Sequence, residues 1–286
     1  MTIRNPIEWG GAQFVSAARG ASRFHQSLHH ISETIHSPMP TVRRITTDDV
    51  WRSLGQGFSD FQAYRSDVIF LCAFYAVVGL VTFRLALGGD LLPLLFPLAS
   101  GFAIVGPIAA LGLYEMSRRR EQGAEVNWTN AFDILKSPDL GAIAVLSLAL
   151  IALFLAWIVT AWGIFQMTLG PNAPTDINGF FNAVFTTTPG ITMIVLGIGV
   201  GFCFALLAMM MSVVSFPLLV DRDAGLDTAL KTSFRAVLDN PKPMALWGLM
   251  VAVILAAGTA TAFVGLMVAV PVLGHATWHL YKKLVV

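Results

Sequence analysis

Apolar residues fill long blocks at 67–87, 91–116, 140–168, 191–219 and 243–281. A helix that crosses the hydrocarbon core of a bilayer needs about 20 such residues. Each of the first four blocks therefore predicts one span. The fifth, as a single helix rising 1.5 Å per residue, would reach roughly 58 Å, about twice the core thickness. It predicts two spans that turn near Gly258–Gly265. The expected fold is an all-α integral membrane protein with six transmembrane helices.

Between the blocks the pattern becomes amphipathic. "TTDDVWRSLGQGFSDF" places Val50, Leu54, Phe58 and Phe61 at helical spacing, with Thr47 as the expected N-cap. "NWTNAFDILKSP" places Trp128, Ala131, Phe132 and Leu135 on one helical face. "GLDTALKTSFRAVLDNP" does the same with Leu226, Ala229, Leu230, Phe234, Val237 and Leu238. Pro138 and Pro241 end the second and third segments. All three are expected to be interfacial helices on the cytoplasmic leaflet. Each inward-going span carries a proline: Pro107, Pro217 or Pro271. Tyr114 lies as far from Pro107 as Trp278 does from Pro271, and Arg118 and Arg119 match Lys282 and Lys283 in the same way. The chain thus reads as three units, each an amphipathic segment followed by a transmembrane hairpin.

Residues 1–40 form a separate arm, and residues 41–286 the membrane domain. Phe14, Ala17, Ala21, Phe24, Leu28, Ile31 and Ile35 follow alternating three- and four-residue steps, a seam for a partner helix or a membrane surface. His25, His29 and His36 share another face, read as a solvated polar stripe, with a labile metal site as the alternative. No signal-peptide core is expected in this arm.

Composition agrees with a polytopic membrane protein: 56% of the 286 residues are hydrophobic and 12% charged. Soluble domains are about 25% charged. Six helices place seventeen of the eighteen basic residues on one side, with only Arg84 on the other. The positive-inside rule then puts both termini in the cytoplasm of a bacterial inner membrane. Apart from the lipid bilayer, the expected partner is a membrane protein met through the cytoplasmic face or the N-terminal arm. No nucleic-acid partner is expected.

Motif chemistry is sparse. No GxSxG, HExxH, GxxxxGK or GxGxxG occurs. Cys72 and Cys203 sit inside apolar runs and are expected to be buried free thiols. Glu115, three residues before a run of arginines, is expected to form a local ion pair. Ionisable groups at mid-membrane, which coupled transporters retain at a cost, are not evident. Trp157 and Trp162 fit an aromatic belt, Phe180, Phe181 and Phe185 an outer-leaflet contact, and Gly197 with Gly201 a close-packing face. Asp221 and Arg222 are expected to pair locally or cap the following helix.

"VPVLGHATWHLYKKL" brings His275 and His279 to one helical face, about 40° apart. His279 belongs near headgroup depth. His275 is deeper and needs a hydrogen-bond partner if neutral. A polar structural pair is the favoured reading, and a cofactor or quinone-type ligand site is the alternative. No metal and no cofactor are expected, because four zinc ligands cannot be found by spacing.

"GPIAALGLYEMSRRREQG", "SFPLLVDRDAGLDTALKTSFRAVLDNP" and "PVLGHATWHLYKKL" resemble the bacterial integral membrane family called domain of unknown function 2189. The resemblance covers roughly residues 40–286. It implies no biochemical activity. Some relatives carry a cytochrome c oxidase subunit I label, but only His275 and His279 lie in an expected span here, too few for two haems and a copper. The motif residues Pro107, Tyr114, Glu115, Arg118, Arg119, Pro217, Asp221, Arg222, Ser233, Asn240, Pro271, His275, Trp278, His279 and Tyr281 are expected to serve structure or a partner rather than catalysis. The leading expectation is a non-enzymatic accessory or scaffold protein. The alternatives are a carrier or channel for a neutral or lipidic solute, and a haem- or metal-binding partner of respiratory oxidase assembly.

Overall fold

The computed structural model describes residues 38–64, scattered positions between 73 and 84, and 92–286 apart from 171, 172 and 175. The arm seam, its histidines, Cys72 and most of the first expected span lie outside these residues. Ten helices are complete among the described residues: α1 (Thr47–Ala63), α2 (Leu95–Ala109), α3 (Leu111–Glu121), α4 (Leu140–Met167), α5 (Ile177–Thr186), α6 (Thr188–Ser212), α7 (Ser215–Asp221), α8 (Leu226–Asp239), α9 (Pro241–Ala260) and α10 (Leu266–Leu284). Short 3₁₀ segments run over Leu92–Leu94 and Trp128–Lys136. Four stretches are long and apolar enough to cross a membrane: Leu92–Ala109, Leu140–Met167, Thr188–Asp221 and Pro241–Ala260.

The fifth apolar block does break into two helices. Ala262 and Phe263 take φ of 52° and 65°, a left-handed conformation that non-glycine residues seldom adopt. Gly258 and Gly265 permit the turn. A Cβ on Gly265 would lie 2.8 Å from the Gly258 Cα. The Thr261 hydroxyl accepts from the Gly265 N–H at 2.9 Å and donates to the Gly258 carbonyl at 2.8 Å. After the turn, α10 is buried around most of its circumference, from Leu266 through Val270, Gly274 and Trp278 to Leu284. A helix enclosed on all sides can carry histidines and lysines where a lipid-facing span cannot. That explains why α10 is less uniformly apolar than the four stretches above.

The three amphipathic segments take different forms. α1 is capped by Thr46 rather than Thr47, because Thr46 and Asp49 form a reciprocal capping box. Its buried face holds Val50, Ser53, Gly57, Asp60 and Phe61, while Phe58 and Trp51 are exposed. The second segment is a 3₁₀ turn, not the expected α-helix. With about three residues per turn, its side chains fall on three edges. Ala131 and Ile134 pack on the bundle, and Phe132 and Leu135 are exposed. The single apolar face expected there is thus divided. In α8 the buried side is made of small residues, Thr228, Ala229, Thr232, Ser233, Ala236 and Val237. Leu226, Leu230 and Phe234 are half-buried, and Leu238 is exposed.

These segments pack in a cyclic order. α1 lies on α10, the 3₁₀ segment on α3, and α8 on α6 and α7. The 3₁₀ segment and α8 each rest on helices that precede them in the chain, and α1 packs on α10. The approaches are tight. A Cβ on Gly57 would sit 2.5 Å from the Ala276 N, and one on Gly112 would sit 2.7 Å from the Ala131 Cβ.

Several expectations about the spans change. Trp157 is buried and donates to the Ser100 hydroxyl at 2.9 Å, so it is a core residue and not part of a belt. Gly201 packs on the Trp157 ring, whereas Gly197 faces open space. Phe180 is buried, and only Phe181 and Phe185 are exposed, stacked with ring centroids 6.2 Å apart. Cys203 is exposed on α6 rather than buried. The apolar run around it predicts membrane contact, and burial in protein is a different matter.

Candidate functional site: a polar node at the helix ends

One carboxylate joins three elements distant in sequence. Asp60 projects from the buried face of α1 and is 4% exposed. Its Oδ1 accepts from Arg120 Nη1 at 2.5 Å. Its Oδ2 accepts from the Ser117 hydroxyl at 2.8 Å and from His279 Nε2 at 2.9 Å. Ser117 and Arg120 belong to α3, and His279 to α10. Burial works against ionisation of Asp60. The hydrogen bonds from His279 and Ser117, with the charge of the nearby imidazoles, outweigh it, and the carboxyl titrates below the ordinary aspartate value.

Ser117 links this carboxylate to the second histidine: its hydroxyl lies 2.8 Å from Asp60 Oδ2 and 2.7 Å from His275 Nδ1. The ring is fully buried. The Leu113 backbone lies nearby, but Nε2 makes no well-formed hydrogen bond among the described residues. On the other side, His279 Nδ1 lies 3.9 Å from Glu121 Oε1. Glu121, His279, Asp60, Ser117 and His275 thus form a series of proton-carrying groups. It runs from a partly exposed carboxylate to a buried imidazole. Both histidines lie toward Asp60 Oδ2, His279 Nε2 directly at 2.9 Å and His275 Nδ1 at 3.9 Å with Ser117 bridging.

Two further nodes hold the neighbouring junctions. Glu115, 3% exposed, receives Arg118 Nε and Arg119 Nε, each at 2.8 Å. Arg119 reaches on to Asp133 of the 3₁₀ segment at 2.8 Å. Asp221, at the end of α7, accepts from the Tyr281 hydroxyl at 2.7 Å and lies 3.4 Å from Lys282. Its contact with Arg222 is also 3.4 Å, so pairing within the dipeptide is the weaker part of its role. The Ser233 hydroxyl accepts from the Val214 N–H at 3.2 Å and fixes α8 on the α6–α7 break. Asn240 accepts from the Ile45 N–H at 2.7 Å and donates to the Arg43 carbonyl at 3.0 Å. The Val42–Val285 bridge completes this clasp between the residues that precede α1 and the end of α10.

The motif residues thus gather at one end of the bundle. His275, His279, Trp278 and Tyr281 face inward from α10, and Tyr114, Glu115, Arg118 and Arg119 from α3. Pro217 and Pro271 are buried, and Pro107 is half-buried in α2. His275 finds the partner that its depth requires. Asp60, Ser117 and Arg120 were missing from the expected set. A signal for Asp60 was present: it falls on the i, i+3, i+7, i+10 face of Val50, Ser53 and Gly57, where an isolated carboxylate would be costly.

Searches of curated proteins and of solved structures return no match. Asp60, His275 and His279 lie outside the one stretch that a family model recognises, whereas Glu115, Ser117, Arg120 and Asp221 lie within it. That stretch is residues 95–221, from α2 to the end of α7, and it matches the family described as predicted integral membrane protein (DUF2189), the family that the motifs of this chain resemble.

Proposed function

We propose that the chain is a six-span protein of the bacterial inner membrane, with both termini cytoplasmic, and that it acts as a non-enzymatic accessory or scaffold protein for another membrane protein. One observation carries this reading. The ionisable groups at the helix ends are engaged with one another: Asp60 accepts three hydrogen bonds, and His275, His279, Ser117 and Arg120 are held through it. Such an arrangement stiffens a cytoplasmic platform. Around it stand exposed apolar side chains, Trp51 and Phe58 on α1 and Leu238 on α8, suited to a bilayer or a partner. Purification in a gentle detergent, with cross-linking and mass spectrometry, tests the reading. Stoichiometric recovery of one membrane-protein partner is expected. Recovery of the chain without any partner, with a haem Soret band or with solute flux in proteoliposomes, would overturn it.

A carrier is the second reading. It is favoured by the series of proton-carrying groups from Glu121 to His275. Proton-linked solute uptake into proteoliposomes that stops with Asp60→Asn would replace the scaffold reading by this one.

A further inference from the structure

A cavity of about 470 Å³ opens beside the polar node, between α3, the 3₁₀ segment, the start of α4 and the end of α7. Its volume lies in the range of small-ligand sites, about 300–1,000 Å³. Three of the membrane-crossing stretches end around it. Leu92–Ala109 continues into α3, Leu140–Met167 begins beside it, and Thr188–Asp221 finishes on it. These positions set the cavity at the depth of lipid headgroups.

The lining carries both signs of charge. Arg118 and Arg119 are held from beneath by buried Glu115, Arg119 also reaches Asp133, and both guanidinium groups line the cavity. Arg222 adds a third guanidinium. Asp221 and Asp223 stand on the same α7 end. A site for a simple anion would be weakened by those carboxylates. A phosphate ester with an ammonium a few bonds away would satisfy both sets. The 3₁₀ geometry supplies the other component. Asp133 and Lys136 turn one edge into the cavity, and Phe132 and Leu135 form the neighbouring edge, 51% and 58% exposed. Large apolar side chains beside a charged cavity at headgroup depth fit acyl chains.

We propose that this cavity binds the zwitterionic headgroup of an aminophospholipid. The phosphate sits on Arg118, Arg119 and Arg222, the ammonium meets Asp221 and Asp223, and the acyl chains lie along Phe132 and Leu135.

The test uses the full chain, stripped of lipid in detergent and offered equal amounts of phosphatidylethanolamine, phosphatidylglycerol and phosphatidylcholine. Native mass spectrometry then counts the lipid retained. Retention of one phosphatidylethanolamine, about fivefold over each of the others, is expected. Arg222→Gln should remove that preference. Phe132→Ser with Leu135→Ser, at exposed positions, should lower lipid retention without loss of fold. Equal retention of phosphatidylglycerol, or no preference at all, would overturn the proposal, and both outcomes are read on the unmodified protein. Glycerophosphoethanolamine that binds as tightly as the lipid would overturn the lipid assignment.

Discussion

Asp60 Oδ2 and His279 Nε2 meet at 2.9 Å across 219 positions of the chain. Arg120 and Ser117 approach the same carboxylate from α3. One side chain on α1 thus ties α1 to α10, with the end of α3 between them.

Asp60→Asn should lower stability by about 2 kcal/mol or more, because charged hydrogen bonds are lost and Arg120 and His279 are left near a neutral group. Exposed Glu125→Gln should stay within about 0.5 kcal/mol. Thermal unfolding of the detergent-purified variants measures both. Equal melting temperatures would remove Asp60 from its central place.

The node also predicts an acid limit. The folded Asp60 titrates below its ordinary value of 3.8. Its contribution is therefore complete above 3.8 and is lost as pH falls through the lower folded value. The stability difference between the protein and Asp60→Asn should be flat from neutral pH down to that limit and should shrink below it. A difference that already closes near neutrality would contradict the sign of the shift.

Two glycines of α1 should respond in opposite directions. Gly57→Ala forces a Cβ to within 2.5 Å of the Ala276 N, so α1 must lift from α10, at about 1–3 kcal/mol. Gly55 has open space around it. Gly55→Ala should stabilise the helix by about 0.4–1 kcal/mol. Paired melting curves decide the matter, and a loss at both positions would count against this packing.

Reporter fusions test the orientation. The basic residues divide seventeen to one for six helices, so fusions at residues 88 and 176 should report a periplasmic location. A cytoplasmic signal at either site would break the six-span arrangement.

The apolar stretches at 140–168 and 191–219 and the turn at Gly258–Gly265 were legible because hydrophobic length and glycine placement are local properties, whereas the 91–116 block divides at Ala110 into α2 and α3. The inward-facing role of His275 was legible from depth alone. The partner was not. Asp60 looked like one more polar residue in an amphipathic segment, and only the packing of α1 on α10 brings it to the histidines. Trp157 was misread for a related reason. Its place toward a helix end suggests an interface, but Ser100 on α2 supplies a half-buried acceptor that spacing cannot reveal. The 3₁₀ form of Trp128–Lys136 was also hidden, since Ala131, Phe132 and Leu135 suit either period.

The closure of α1 on α10 has a consequence for biosynthesis. Translation at about 5–20 residues per second separates the emergence of Asp60 from that of His279 by roughly 10–40 s. Throughout that interval α1 has its apolar and acidic face made but no surface to receive it. Insertion of the intervening helices can proceed, while docking of α1 must wait for α10. A ribosome that stalls before α10 releases a protein with Asp60 unmatched and Gly57 uncovered. Docking of α1 thereby depends on synthesis of α10, and chains truncated before α10 should be the preferred substrates of membrane proteases.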